Sequence, residues 1–165
     1  MKKVIITIGV ILLAFGLYAQ KSRPSGSQPY SSAFNGRIEL NSNTTFLGVT
    51  YKHYTDAFKS YEIMALTDFD NGIEFYGQYQ YNGMIPDFPP KLRWFIGGGA
   101  HVGTWSGWND DLIIGLNGIL GVEYTFDEIP LNLGLDWKPL LNLVTEKHDR
   151  FWPSKFGISI RYVIK

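Results

Sequence analysis

The sequence contains no cysteine, which excludes disulfide bonds and a lipid-modified N-terminal cysteine. It carries no net charge either, since 15 Lys and Arg stand against 15 Asp and Glu, so we expect no binding to nucleic acid. Histidine is scarce: His53, His101 and His148 lie on separate segments. Because catalytic and metal sites need clustered ligands, we predict no catalytic residue, no bound metal and no other cofactor.

Long apolar runs are also missing: beyond the N-terminal segment, none reaches the roughly 20 residues of a transmembrane helix. In the N-terminal segment, Lys2 and Lys3 precede an apolar run at residues 4–17, and Ala19 is a small residue suited to cleavage. This pattern predicts a signal peptide at residues 1–19 that directs export and is then removed. Any membrane insertion of the exported chain must therefore use strands.

Aromatic residues and glycine are abundant, with 11 Phe, 10 Tyr, 5 Trp and 18 Gly in 165 residues. Membrane barrels place aromatic residues at both membrane interfaces. Residues 131–138 carry the matching strand pattern, because apolar and polar side chains alternate there. The apolar members are Leu131, Leu133, Leu135 and Trp137, and the others are Asn132, Gly134, Asp136 and Lys138. A strand with this alternation has one apolar face and one ionic face.

Similar alternation recurs between turn residues, and no segment shows convincing helical periodicity. It predicts eight strands, at residues 36–41, 45–54, 60–67, 73–81, 92–104, 112–126, 131–138 and 155–165. We therefore predict an all-β fold, an eight-stranded antiparallel up-and-down transmembrane β-barrel at residues 34–165, in which the last strand pairs with the first. Residues 20–33 are rich in Ser, Pro and Gly, which predicts a flexible N-terminal tail.

Charged side chains share one face of the predicted strands. In the third strand we choose the register that turns Glu62 inward, because a slip of one residue would turn it toward lipid. The inward face then collects five acids and five bases, which are Glu39, Glu62, Glu74, Glu123 and Asp136 with Arg37, Lys52, Arg93, Lys138 and Arg161. We predict that these residues form a balanced structural network that fills the lumen. His101 also faces inward, where it could meet Glu123 on the next strand.

Strand parity assigns the connections to sides. With both termini in the periplasm, the connections at residues 41–44, 68–72, 105–111 and 145–154 face outward. Four aromatic residues lie on or beside these connections, namely Trp105, Trp108, Phe151 and Trp152. They could contact an extracellular glycan or protein, whose identity stays open, or they could belong to the aromatic belt of the membrane interface.

Three segments carry a resemblance to known proteins: residues 97–103 (GGGAHVG), 118–126 (GILGVEYTF) and 129–139 (IPLNLGLDWKP). With the signal peptide and the eight alternating segments, the chain resembles the small OmpA/OmpX-type outer-membrane barrels of Gram-negative bacteria, and more narrowly a family of uncharacterised small barrels. The resemblance implies a location in the cell outer membrane, contact with its lipid, and insertion by the barrel-assembly machinery. It implies no activity.

These observations favour a porin-like outer-membrane barrel with a plugged polar lumen and a structural or surface-interaction role, rather than an enzyme. Two alternatives remain open at this point. One is an outer-membrane enzyme that modifies lipid, although the sequence offers no convincing triad. The other is a secreted, soluble, lipocalin-like barrel that binds an apolar ligand, for which the charged face would be the solvated outer surface.

Overall fold

The computed structural model describes residues 28–42, 44–70, 72–85, 91–105, 111–145, 150–153 and 155–164. The predicted signal peptide, most of the predicted tail, His148 and Trp108 lie outside these residues. Every regular element in the described part of the chain is a β-strand. A separate search of the same residues finds no helix long and apolar enough to cross a membrane.

Ten strand segments follow one another along the chain. They are β1 (Ser32–Leu40), β2 (Thr45–Tyr54), β3 (Lys59–Thr67), β4 (Gly72–Met84), β5 (Leu92–Trp105), β6 (Asp111–Thr125), β7 (Leu131–Trp137), β8 (Leu140–Val144), β9 (Phe151–Trp152) and β10 (Phe156–Ile164). Consecutive long strands pair antiparallel, and β1 pairs with β10 over nine residues from Ser32↔Ile164 to Leu40↔Phe156. That pairing closes the sheet into a barrel without a free edge there.

The ten segments form the eight strands of the barrel, each called a wall below. Two walls are interrupted: β7 and β8 make up one, and β9 and β10 make up the other. Both β7 and β8 pair with β6, with a break at Lys138 and Pro139. In the last wall, β10 pairs with β7, and β9 lies beyond that pairing and pairs with β8. Proline has no backbone N–H to donate to a ladder, which accounts for the break at Pro139. The closed eight-stranded antiparallel barrel predicted from the sequence is confirmed.

Polarity alternates along each wall in the sense expected of a membrane barrel. In β10, Phe156, Ile158 and Ile160 are exposed, whereas Ser159 and Arg161 between and beyond them are buried. In β3 the structure turns Glu62 inward and leaves its neighbours Tyr61 and Ile63 exposed. The barrel thus shows an apolar surface outside and encloses ionic side chains, the inverse of a soluble barrel.

The first strand begins earlier than the predicted barrel domain. Ser32 and Ala33, which the sequence assigned to the flexible tail, belong to β1. The chain before β1 is also held in place, because the Ser31 N–H donates to the Ile164 carbonyl at 3.0 Å and the Ser31 carbonyl accepts from Tyr54 N–H at 2.9 Å. Backbone hydrogen bonding therefore extends one residue beyond β1, and the Tyr30 side chain is buried at the end of the barrel.

Two inward glycines make room for arginine side chains. A Cβ at Gly157 would collide with the guanidinium of Arg37, and a Cβ at Gly134 would collide with that of Arg161. An eight-stranded barrel has an interior only just wide enough for its own side chains. A glycine on one wall is therefore what lets a long cationic side chain from the neighbouring wall lie across it.

Substituting Gly157 should expose this packing. We expect Gly157→Ala to lower the free energy of unfolding by about 1–3 kcal/mol, because the added methyl displaces the buried Arg37 guanidinium. Gly36→Ala on the adjacent strand is the control, since a Cβ there meets no atom within 4 Å, and it should change stability by no more than about 0.5 kcal/mol. Urea unfolding in lipid vesicles measures both. Equal effects of the two substitutions would contradict the packing described here.

Candidate functional site: the charged interior of the barrel

Within the described residues, all buried ions except Arg93 form two clusters, one toward each end of the barrel. The loop-end cluster is defined by Arg37, Glu39, Glu74, Asp136, Lys138 and Lys155. In it, the Arg37 guanidinium donates two hydrogen bonds of 2.7 Å each to the two carboxylate oxygens of Asp136. A third contact, at 3.1 Å, joins Arg37 to Glu39. Parallel charge-assisted bonds of this kind fix both distance and orientation, so they lock β1 against β7 across β10.

Two lysines complete the loop-end cluster from the interrupted walls. Lys138 Nζ lies 2.6 Å from the Glu39 carboxylate, and Lys155 Nζ lies 2.6 Å from Glu74 and 3.4 Å from Glu39. Both ammonium groups also face aromatic rings: Lys138 Nζ is 3.4 Å from the ring centroid of Tyr76, and Lys155 Nζ is 4.5 Å from that of Phe46. Carboxylates and ring faces together replace the water that these cations lose.

The terminus-end cluster is defined by Lys52, Glu62, Glu123 and Arg161. Glu123 is its centre, with Lys52 Nζ at 2.9 Å and Arg161 Nη1 at 3.4 Å. Arg161 also approaches Glu62 at 3.7 Å. The Tyr54 hydroxyl donates a further hydrogen bond to Glu123. The Glu123 carboxylate is therefore satisfied by two cations and a hydroxyl from two other walls, those of β2 and β10.

Tyr30 closes the terminus end of the interior. Its side chain is completely buried, its ring meets Tyr54 edge-on at 5.1 Å, and its hydroxyl donates to Glu123 at 3.3 Å. Ala33 and Val163 pack with these two tyrosines. A residue expected in a flexible tail is thus part of the interior. Strand alternation does not identify it, because the inward residues of β1 are Ala33, Asn35, Arg37 and Glu39, and Tyr30 falls outside that two-residue spacing.

All eleven residues of the predicted lumen network lie inside the barrel, each at most 4% exposed. They are Arg37, Glu39, Lys52, Glu62, Glu74, Arg93, His101, Glu123, Asp136, Lys138 and Arg161. Arg93 lies at the terminus end, where its guanidinium donates to the Ala57 carbonyl at 2.6 Å.

The prediction left out Lys155. With it, the buried ions of the described residues are six bases and five acids, so the predicted equality of five each does not hold. Strand alternation indicates that Lys155 faces inward, because it directly precedes the outward Phe156.

The expected contact between His101 and Glu123 is not formed. The β5–β6 register places Arg93 opposite Glu123 and Gly115 opposite His101. His101 instead pairs through Nε2 with the Asn142 side-chain oxygen at 3.0 Å. Eight residues of β5 separate the two levels, or about 26 Å of strand. Alternation predicts which face a residue occupies but not its height in the barrel.

The aromatic residues near the outward connections divide into two groups. Trp105 and Trp152 pack against an apolar cluster inside the barrel, and the Trp105 ring lies 5.8 Å from Phe46. The buried members of that cluster are Phe46, Met64, Leu66, Tyr76, Phe95, Ile119 and Leu140. Phe151 is 59% exposed and is directed outward. Of the four aromatic residues predicted near these connections, three lie in the described part of the chain, and among these three only Phe151 has an exposed ring.

The described residues hold no group of three or more His, Cys, Asp or Glu side chains arranged to bind a metal ion. Their carboxylates are instead engaged by Lys, Arg and Tyr side chains. In this interior, buried acidic and basic side chains neutralise one another, while the outer face of the barrel is apolar. Such a barrel belongs to the class of small membrane β-barrels.

Comparison with known proteins agrees with this class. No protein-family model matches the chain, and no curated protein matches its sequence. Among solved structures, the chain is similar to the N-terminal β-barrel domain of OprF from Pseudomonas aeruginosa, with a TM-score of 0.62 and 12% sequence identity. The match covers 81% of this chain and 98% of that domain. The predicted likeness to eight-stranded outer-membrane barrels is confirmed at the level of the fold.

Removing Lys155 should be costly. Lys155→Met keeps the length of the side chain but leaves Glu74 and Glu39 without one of their cations, so we expect a loss of about 3–5 kcal/mol of folding free energy. Lys59→Met is the matched control, because Lys59 is half exposed and lies 3.8 Å from Asp56, and such a pair contributes at most about 1 kcal/mol. Urea titrations of the refolded barrel in detergent compare the two. A loss below 1 kcal/mol for Lys155→Met would show that Lys155 is not required.

Proposed function

We propose that this protein is an outer-membrane β-barrel with a plugged lumen, serving a structural or surface-interaction role rather than catalysis. The observation that carries the proposal is the inverted polarity of the barrel. Among the described residues, large apolar side chains are exposed on the outer face, whereas six bases and five acids are buried. A hydrocarbon solvent outside and self-compensated ions inside make that arrangement stable.

The outer membrane of a Gram-negative cell is the location that fits best. The predicted signal peptide would export the chain, and a barrel with closed backbone pairing is one of the two kinds of structure that satisfy their polar backbone groups in lipid. Its partners would then be the lipid of that membrane and, during insertion, the barrel-assembly machinery. The likeness to the OprF barrel domain supports this location through the fold.

The plugged lumen is supported by how its ions are used. Arg37, Lys52 and Lys155 each bind carboxylates within the barrel at 2.6–2.9 Å, so they are not arranged to coordinate passing ions. The apolar cluster around Phe46 fills space at the loop end, and Tyr30 fills the terminus end. With eight strands, side chains alone are enough to occupy the interior.

A lipid-modifying enzyme finds less support. The Ser32 hydroxyl lies 2.8 Å from His53 Nδ1, which is the distance of a nucleophile and its base. Ser32 is nevertheless buried, and its hydroxyl also contacts the Tyr51 hydroxyl at 3.1 Å. A nucleophile covered in this way cannot reach a lipid ester. The Tyr51 and His53 rings are half-buried near the end of β2, and a tyrosine at a strand end is typical of an interfacial aromatic belt.

A lysine on the outer face distinguishes a membrane barrel from a soluble one. Ile160 is 54% exposed in mid-strand, so Ile160→Lys should destabilise the barrel in vesicles by about 2–4 kcal/mol if that face meets hydrocarbon. Ile129→Lys, in the connection between β6 and β7, is the control and should cost at most about 1 kcal/mol. Fractionation and carbonate extraction of the cell envelope complete the test. Recovery of the protein in the soluble periplasmic fraction, with a neutral Ile160→Lys, would refute the proposed location.

Planar-bilayer recordings test the plug. We expect the intact barrel to show no steady conductance, because paired ions and aromatic side chains occupy the lumen. Tyr30→Ala should produce resolvable openings, since it removes the ring that closes the terminus end. Tyr79→Ala, an exposed position on β4, should remain silent. A steady conductance of the unaltered barrel would refute the plugged lumen, and silence of Tyr30→Ala would refute the role of Tyr30.

A further inference from the structure

Two amide side chains, those of Gln78 and Asn117, here called the row, lie between the two ionic clusters, on walls that are separated by one further wall. Gln78 of β4 is paired with Gly99 of β5, and Gly99 is paired with Asn117 of β6. Gln78 and Asn117 both face inward and are 4% and 5% exposed. Their backbones are two strand spacings apart, about 10 Å. The position between them carries no side chain.

Of the four amide atoms of this row, three have no partner among the described residues, and only Gln78 Oε1 accepts a hydrogen bond, from Gln80 Nε2 at 3.4 Å. Within the described part of the chain, neither the oxygen nor the nitrogen of the Asn117 amide has a hydrogen-bond partner, and the same is true of Gln78 Nε2. His101, one level nearer the loop end, is in the same condition at Nδ1. A buried polar group without a partner costs about 1–3 kcal/mol. Such a group is therefore expected to form a hydrogen bond with a molecule other than the protein.

The surroundings define what that molecule must be. The carboxylates beside the row are already engaged, Glu62 by Gln80 Nε2 at 2.8 Å and Glu74 by Lys155 at 2.6 Å. Within the described residues, both carboxylates beside the row are thus already bound by side chains of the barrel, which favours a neutral ligand. The unused groups include donors and an acceptor, so the ligand must both accept and donate hydrogen bonds.

Gly99 keeps the row open. A Cβ at this position would collide with the backbone of Gly77 and Gln78, so the close approach of β4 and β5 requires glycine here. The same glycine leaves no side chain between the two amides. The missing side chain between the two amides is therefore a consequence of how β4 and β5 pack.

We propose that Gln78 and Asn117 bind a small neutral hydrogen-bonding molecule between them, with His101 Nδ1 as a further contact. Water or a small neutral solute of the cell, such as an amide or a polyol, has the required chemistry. The site belongs to the fold of the barrel and is independent of the proposed plug, because none of its three side chains takes part in the ion pairs described above.

A double-mutant cycle tests the shared ligand. Gln78→Leu, Asn117→Leu and the double variant are compared with the unaltered protein by urea unfolding in vesicles. A molecule bound by both amides makes the two substitutions non-additive, and we expect a coupling of about five-fold or more in the unfolding equilibrium constant. The control cycle joins Asn117→Leu to Ser60→Ala at the terminus end of β3 and should be additive. Additivity of the first cycle, with Asn117→Leu more stable than the unaltered protein, would overturn the proposal.

A spectroscopic measurement on the unaltered protein identifies the ligand without relying on variants. In a ¹⁵N-labelled sample in detergent micelles, the side-chain amide protons of Asn117 and Gln78 should show cross-relaxation with a bound molecule. A cross-peak at the water frequency identifies water, and one at the frequency of added glycerol or formamide identifies a binding site for solutes; both support the proposal. Amide protons that show neither, even under saturating solute, would refute it.

Discussion

A charge enclosed by a lipid-facing wall has no bulk water to solvate it, so it must meet an opposite charge or a dipole inside the barrel. Each Lys and Arg of the two ionic clusters satisfies this condition through a carboxylate. The condition also determines which walls are joined, because Glu39 of β1 binds Lys138 and Lys155 from the two interrupted walls. The contact between Glu39 and Lys138 thus connects β1 to a wall with which the backbone ladder does not pair it directly.

The need to accommodate buried charges also determines where the wall carries glycine and where its ladder is interrupted. Long cationic side chains need space, and glycine provides it where Arg37 lies over Gly157 and Arg161 over Gly134. The breaks in the ladder serve the ions as well. At the break, Lys138 N–H donates to the Lys155 carbonyl at 2.8 Å, so the two lysines are held side by side although neither lies within a strand. Backbone irregularity and buried charge therefore occur together.

The sequence predicted the faces of the barrel well and the contacts within it poorly. Alternation places Glu62 inward and Ile63 outward without knowledge of any partner, because strand periodicity is a local property. The partner of a lumen residue depends on the stagger of the strands around the barrel, which is not local. That is why the sequence allows a contact between His101 and Glu123, whereas in the structure His101 binds Asn142. Tyr30 was missed for a related reason, because its segment is turn-like in composition and only the closed barrel gives it a place to pack.

The ionic interior also determines the register of the strands. Replacing buried ion pairs with apolar residues often leaves stability unchanged or raises it, so stability alone does not explain the eleven buried ions of the described residues. With apolar residues on both faces, a strand could slip by one residue and exchange its faces at little cost. With ions inside, the same slip of β1 would turn Arg37 and Glu39 toward hydrocarbon. A cationic side chain costs about 2–4 kcal/mol at the bilayer midplane, and the Arg37 pair with Asp136 would be lost as well. The ions therefore exclude the wrong register more strongly than they stabilise the right one.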